Sequence, residues 1–597
     1  LESAGNVVYP IRNIIPVLAG GQLDSISPSA VINMAHGRLG DRMVEFLEKY
    51  NIPLFSPLNA NALVSEWEAD DMGMSGGFLS QSVVTPEIDG AIRPVVLFGH
   101  YETGDGLQRL EAIPERLEEF TETVARYLDL KRKPESRKKI AIFYYKGPGQ
   151  NALTAAGMEV VPSLYNFLVA LRDAGYDVSG LPATPDALAD LIQRRGAVFG
   201  SYAEGAASRF MQEGSPEWID APTYEKWVSE ALPRRLYDEV VALNGEFPGP
   251  YMSRNGRLAL PRIELGNVVL IPQPAAGSGQ NDFRMVHGTH AAPPHNYIAA
   301  YLYARYGFGA DAMVHFGTHG SLEFTPEKQV ALSRYDWPDR LVGTVPHFYL
   351  YTISNVGEGM MAKRRAYATL QSYLTPPFME SNVRGLYKEL SEELSRFDEA
   401  LYGGKPDEAG AERSALKIKK LTIEMGIASD LGLDTLDRNR PYNEEEIIRI
   451  GNFAEELASE KVTGRLYVLG EPYLPSQIES TVYAMSAEPI AYGLLGIDRA
   501  RNLDVGDVEK RRQEFNDRYL EPARKIVARL LARSRPADDR QLCSIAGITE
   551  KELAHARDVS ASLRTPADMM PMMQVDDRKP QPARQETDFA RAVTELE

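Results

Sequence analysis

Apolar residues fall in short runs through the first half of the chain and at helical spacing through the second. Residues 7–20 (VVYPIRNIIPVLAG) carry apolar runs, and residues 28–50, with a Ser/Pro start, predict a helix. Residues 52–58 (IPLFSPL) predict a short strand, residues 93–99 (RPVVLFG) a buried strand, and residues 112–130 a helix. The basic run 131–139 (KRKPESRKK) reads as a solvated linker. A second α/β unit follows: a strand in KIAIFYYKGPG from Lys139, a helix, turn and next strand from the segment 162–178 (PSLYNFLVALRDAGYDV), and another helix over 185–195. Its loop, residues 146–157, lies where α/β sheets place ligands, although it lacks GxGxxG. Residues 261–273 are strand-like, 275–282 form a flexible loop, 296–306 a helix and 310–316 (ADAMVHF) a short strand. Beyond that, residues 358–374 predict a helix stopped by Pro376-Pro377, with further helices over 444–460 and 507–533. Residues 565–585 read as irregular.

These elements predict an α/β multidomain protein, with Rossmann-like βα units in the N-terminal half and a more helical C-terminal half. Four parts are expected: an α/β domain over 1–135, a Rossmann-like α/β domain over 136–250, a His-rich active-site region over 251–377, and a mainly helical domain over 378–597. A length of 597 residues is too great for one core. The chain starts at Leu1 without an initiator Met or signal-peptide pattern, and reads as a piece of a longer polypeptide.

Composition narrows the partners. Lys+Arg 65 against Asp+Glu 83 gives a net charge of −18, which disfavours nucleic acid and anionic membrane. One cysteine, Cys543, excludes a disulfide framework and a thiolate zinc cluster. No apolar run reaches the ~18 residues that span a bilayer. The expected location is cytoplasmic, with any membrane association carried by a segment outside this chain.

Chemistry concentrates in one segment. Six of the nine histidines are His287, His290, His295, His315, His319 and His347. Imidazole ligates metals and moves protons near neutral pH. His315 and His319 are four apart, but Gly317 and Gly320 break any helix and no Glu follows His315, so this is no zincin pair. The pattern predicts a strand end and a tight glycine turn that presents His319 and Glu323 to a cleft. Glu323, in a partly apolar pocket, would exchange protons near neutrality. Gly288-Thr289-His290 echoes Gly317-Thr318-His319, which suggests two facing turns. Pro293-Pro294 stiffens the segment before the helix. Lys363, Arg364 and Arg365 offer cations for an acidic ligand. The density of Tyr and Phe from Tyr297 to Tyr351 suits a flat aromatic ligand.

The segments AMVHFGTHGSLEFTPEKQVALS, WPDRLVG, PHFYLYTISNVGEG and AKRRAYATLQSYLTPP resemble the large subunits of the class I tetrapyrrole metal chelatases. These are the CobN-type cobaltochelatase subunit and the H subunit of magnesium chelatase. The resemblance runs at least from His287 to Pro377, and more loosely through PEIDG (86–90) and the βα unit after Lys139. GTHGSLEF and AKRRAYA…SYLTPP look like the magnesium type, whereas Trp337-Pro338, Pro346-His347 and Gly357–Gly359 look like the cobalt type. Glu327 replaces the Gly that usually precedes Lys. A third branch, similar to HmuS of haem uptake, removes iron from haem. The resemblance implies binding of a planar macrocycle (haem, or a metal-free porphyrin or corrin) and exchange of its central divalent metal, Fe, Co or Mg.

On that resemblance Glu323 is expected to carry protons and His319 to share the catalytic work. His315, His319 and His290 are the expected metal ligands. His290, His295 and Lys363–Arg365 are expected to hold the macrocycle, the cations through its propionates. The mosaic motif favours haem demetallation, a dechelatase, over cobalt or magnesium insertion. Insertion would need separate ATPase subunits, since the chain has no Walker A motif (GxxxxGK[ST]), and removal a reductant system. The other readings are a non-catalytic haem or tetrapyrrole carrier and a His-rich metallohydrolase.

Overall fold

The computed structural model describes the chain except residues 36, 105, 147–152, 197–203, 275–291, 327, 377, 381–385, 403–406, 459–460, 464–465, 502–504, 507, 509–511, 533–536, 564–583 and 597. The chain divides into two units, one of residues 1–375 with 466–471 and the other of 376–465 with 472–597.

The first unit is built on a six-stranded sheet. Its strands are β1 (Ile140–Tyr144), β2 (Ile263–Leu265), β3 (Val268–Pro272), β4 (Ala312–Phe316), β5 (His347–Thr352) and β6 (Thr369–Tyr373). Their order across the sheet is β2-β3-β1-β4-β5-β6. Only the β2–β3 hairpin is antiparallel. Every residue of β1, β3 and β4 is buried, so these strands are continuous buried runs rather than alternations, apolar except for His315. One face packs Ala141, Phe143, Val269, Ile271 and Met313 against helix α2 (His295–Leu302). The other packs Ile142, Tyr144, Leu270, Val314 and Phe316 against α1 (Val160–Asp173) and the helix Pro185–Arg195. Two short helices follow: α3 (Trp337–Val342) between β4 and β5, and α4 (Val356–Arg365) between β5 and β6.

The strand order places a topological switch point beside β4. The chain leaves β1 for β3 on one side and leaves β4 for β5 on the other. In open parallel sheets the crevice at the carboxyl ends of such a strand pair is where ligands bind.

Two small three-stranded sheets precede the large one. Helix Pro114–Arg132 ties them to it through a buried cluster. Arg116 donates two bonds to Asp339, at 3.0 and 2.9 Å, and the Tyr367 hydroxyl donates to the same carboxylate at 2.6 Å. Arg93 stacks on the Tyr367 ring and donates to the Val345 carbonyl at 2.9 Å.

Two expected helices are shorter than their periodicity predicts. Residues 28–50 begin with a strand, Val31–Ile32, and only Asp41–Tyr50 is helical. Gly37 and Gly40 have φ of 92° and 93°, and Asp89 accepts from Arg38 Nε and Gly40 N there. Residues 358–374 split as well: α4 ends at Arg365, Tyr367 takes φ of 53°, and β6 follows. A left-handed residue ends a helix, and the buried Tyr367 contacts hold it there. The basic run 131–139 is only partly a solvated linker. Lys138 is buried, and Lys139 donates to the Phe308 carbonyl.

β1 and β3, which lie on either side of the division expected at 250, pair in one sheet. The second unit is almost wholly helical, with Leu386–Tyr402, Glu408–Glu424, Glu444–Ala458 and Pro475–Ala500 its longest helices. No helix among the described residues is long and apolar enough to cross a membrane.

Candidate functional site

The carboxyl end of β4 runs into the turn Gly317–Ser321 and then a 3-10 turn, Leu322–Phe324. Gly317 has φ of 101°, and a Cβ there would lie 2.8 Å from that of Ala155. At Gly320 a Cβ would fall on the Tyr349 hydroxyl. Glycine is therefore required at Gly320 for Tyr349 to reach beneath the turn. The turn is fixed on all sides. Thr318 Oγ1 accepts from Thr352 N at 2.6 Å, and Thr318 N donates to the Tyr373 hydroxyl at 3.2 Å. The Gln273 amide, at the end of β3, donates to the His319 carbonyl at 3.0 Å and accepts from Ser321 N at 3.3 Å.

Glu323 is completely buried under this turn. Its Oε1 accepts from Gly320 N at 3.1 Å and its Oε2 from the Tyr349 hydroxyl at 2.7 Å. Tyr351 reaches Oε1 at 3.4 Å and Glu358 Oε2 at 3.1 Å. Glu358 stands in the first turn of α4 and also accepts from Asn355 Nδ2 at 2.6 Å. Burial raises the Glu323 carboxyl above its ordinary range, while the donors and nearby His319 pull it back only in part. Burial also keeps the Tyr349 and Tyr351 phenols protonated. The Tyr351 hydroxyl has a single hydrogen and can serve one carboxylate at a time. Glu323, Tyr351 and Glu358 thus form a chain along which a proton can shift between the buried carboxyl and the half-buried one.

His319 is half-buried above Glu323. Its Nδ1 lies 2.8 Å from the Gly320 carbonyl, so Nδ1 carries the hydrogen and Nε2 keeps the lone pair that can face a ligand. Its ring meets Tyr145 and Phe324 edge-on, with centroids 6.2 and 5.0 Å away.

The other histidines are placed differently. His315 lies inside β4, stacked on Phe143 at 5.1 Å, with Nε2 3.1 Å from the Tyr301 hydroxyl. Burial lowers its pKa far below the usual imidazole range, so it stays neutral. His347, 5.2 Å from it ring to ring, donates Nδ1–H to the Ala366 carbonyl at 2.6 Å; burial pushes its pKa down to about 4. His295 has both nitrogens engaged, by the Tyr224 hydroxyl at 3.0 Å and the Gly245 carbonyl at 2.9 Å, within a core of Tyr224, Tyr237 and Phe247. It has no nitrogen left for a macrocycle. His287 and His290, with the whole second GTH turn, lie outside the described residues. Among the described residues no three His, Cys, Asp or Glu side chains converge as a metal-binding group.

The three cations are engaged as well. Arg364 pairs with Glu87 at 2.7 Å and Lys363 with the same carboxylate at 3.9 Å. Arg365 is buried, with its guanidinium on the Thr325 carbonyl. They tie α4 to the PEIDG segment and to the turn instead of standing open.

The structure thus brings together Glu323, His319 and His315 and sets His295 and the three cations apart in other contacts. Sequence reasoning counted Tyr349 and Tyr351 only as part of an aromatic wall, not as partners of Glu323, and did not single out Glu358 or Gln273. The GEG around Glu358 was the one visible signal, since an acidic residue in a first helical turn otherwise reads as dipole compensation.

A family profile described as CobN/Magnesium Chelatase matches residues 10–579. The chain therefore belongs to the CobN/magnesium chelatase family. It is 30% identical over 496 residues to the chloroplastic magnesium-chelatase subunit ChlH of Oryza sativa subsp. indica, covering 78% of this chain and 34% of that protein. It is 26% identical over 532 residues to the aerobic cobaltochelatase subunit CobN of a Sinorhizobium species, covering 85% and 40%. The catalytic subunit of cobaltochelatase from Mycobacterium tuberculosis shares the fold, with a TM-score of 0.72 at 24% identity over 92% of this chain and 47% of that one. The chain spans about a third of the length of the curated relatives it matches.

Proposed function

We propose that this chain binds a tetrapyrrole at the carboxyl edge of its large sheet and exchanges the ring's central metal, with haem demetallation as the direction. The observation that carries the reading is Glu323: a fully buried carboxyl with a raised pKa, wired through Tyr351 to a second carboxylate. Removing a divalent metal from a tetrapyrrole leaves two ring nitrogens that must each take a proton. A protonated carboxyl beneath the His319 turn supplies one, and the Tyr351–Glu358 chain recharges it for the second. His319 Nε2 takes the leaving metal, a soft enough donor for iron, cobalt or zinc. The same parts in reverse remove two pyrrole protons for insertion.

Direction rests on the motifs: GTHGSLEF on the magnesium pattern beside Gly357–Gly359 on the cobalt pattern, with Glu327 in place of Gly. The alternative is ATP-dependent cobalt or magnesium insertion with separate ATPase subunits.

The test is anaerobic incubation of the protein with haem and a reductant, read as fluorescence of metal-free porphyrin, which iron quenches. Emission that grows with time and is lost in Glu323→Gln supports removal. A shifted haem absorbance band without emission, unchanged in Glu323→Gln, marks a carrier. Turnover appearing only with cobalt or magnesium, an ATPase and ATP reverses the direction.

A further inference from the structure

Lys146 lies at the carboxyl end of the sheet, two residues beyond β1. Tyr145 N donates to the Phe316 carbonyl at 2.9 Å, which carries the pairing of β1 with β4 up to the Gly317 turn. The Tyr145 ring meets His319, so Lys146 stands next to the site on the β1 side. Its ammonium is partly buried and donates to a neutral acceptor, the Gly196 carbonyl, at 3.0 Å. No carboxylate among the described residues pairs with it, whereas Lys363 and Arg364 share Glu87. Burial holds its pKa below the ordinary lysine range, and no neighbouring charge among the described residues opposes that. A half-desolvated cation with no counter-charge at a ligand-binding edge is a place for an anion.

The opposite side of the same edge is apolar. Ile353 is 53% exposed, Val356 69% and Leu374 46%. Ile353 N donates to the Tyr373 carbonyl at 3.0 Å, so the ends of β5 and β6 lie together. Val356 opens α4 two residues before Glu358. From β1 to β6 there are three strand spacings, roughly 14 Å. The Gly317–Phe324 turn stands between the two sides.

We propose that a carboxylate arm of the macrocycle docks on Lys146 while its apolar edge lies over Ile353, Val356 and Leu374, which centres the ring on the His319–Glu323 turn. This rests on the tetrapyrrole reading and replaces Lys363–Arg365 as the holder of the propionates.

The test is titration of the protein with mesoporphyrin IX and with its dimethyl ester, read by porphyrin absorbance and fluorescence. The wild type binds the diacid about tenfold more tightly than the ester, one charge-assisted hydrogen bond being worth that much. Lys146→Gln loses about tenfold for the diacid and nothing for the ester, and Lys146→Arg keeps the preference. Val356→Asp weakens both probes alike. Equal loss of both probes in Lys146→Gln, or unchanged diacid binding, overturns the anchor. Unchanged binding of both in Val356→Asp overturns the apolar side. A wild type that binds neither probe overturns the tetrapyrrole reading itself, and this inference with it.

Discussion

Asp339 and Glu323 are both fully buried carboxylates of the first unit, and their surroundings are opposite. Asp339 is met by cations: Arg116 on both oxygens and Arg340 beside it, with the Tyr367 hydroxyl as a further donor. Its pKa is driven well below the usual carboxylate range despite burial, chiefly by Arg116. Glu323 is met by one backbone N–H and two phenols, all neutral, and burial prevails. The first arrangement locks a negative charge into a cross-brace. The second leaves a carboxyl able to hold or release a proton. A buried acid therefore becomes chemically useful where its donors are neutral, and structural where they are charged.

Breaking the brace has the largest expected effect. Arg116→Ala leaves Asp339 buried without its main partner and destabilises the unit by about 3–5 kcal/mol, read as a lower denaturation midpoint. Glu323→Gln loses no full charge and shifts that midpoint by about 1 kcal/mol or less. Equal losses in the two variants would erase the distinction.

In turnover the order reverses. Glu323→Gln lowers the rate of metal exchange by about 10²–10⁴-fold, the range for a positioned acid or base, with porphyrin binding retained. An Arg116 variant that still folds keeps its rate per folded molecule. A Glu323→Gln protein with undiminished exchange would remove the acid from the mechanism. Tyr351→Phe cuts the path to Glu358 and slows exchange by about tenfold, the worth of one hydrogen bond. It slows proton resupply rather than binding, so a faster buffer exchange should restore part of the rate. A Tyr351→Phe rate equal to wild type at every buffer concentration would dismiss the relay.

Both carboxylates are plain in the sequence, yet only one could be singled out there. GTHG announces a turn, because two glycines flank a histidine after an apolar run, and Glu323 follows within reach. The strand over 312–316 and the helix Pro185–Arg195 were legible for the same local reason. The pairing of β4 and β5 is not local: Tyr349 and Tyr351 reach Glu323 because their strand lies next to β4. Glu358 joins them only because α4 starts at the end of that strand. The burial of His315 and the engagement of His295 depend on packing across the sheet, which periodicity does not report. Lys363–Arg365 look like an open cationic patch in the sequence, and only the fold brings Glu87 to two of them.

The smallest effect is in the pH dependence of stability, and there the two acids act in opposite directions. An unfolded Asp titrates near ~3.9 and an unfolded Glu near ~4.3. Asp339 is depressed in the fold, so its stabilisation is present above ~3.9 and is lost as pH falls toward its folded pKa. Glu323 is raised in the fold, so folding is favoured below ~4.3 and loses that advantage as pH climbs to the folded value. Each unit of separation is worth about 1.4 kcal/mol. Glu323→Gln cannot titrate, so its midpoint lacks the second slope. As pH falls from the raised folded value toward ~4.3 the wild type should gain on Glu323→Gln. Below about pH 4 both should fall together, because both retain Asp339. Parallel midpoints through the upper window would mean that Glu323 is ionised in the fold, as Asp339 is, and the contrast between the two sites would collapse to one of packing alone.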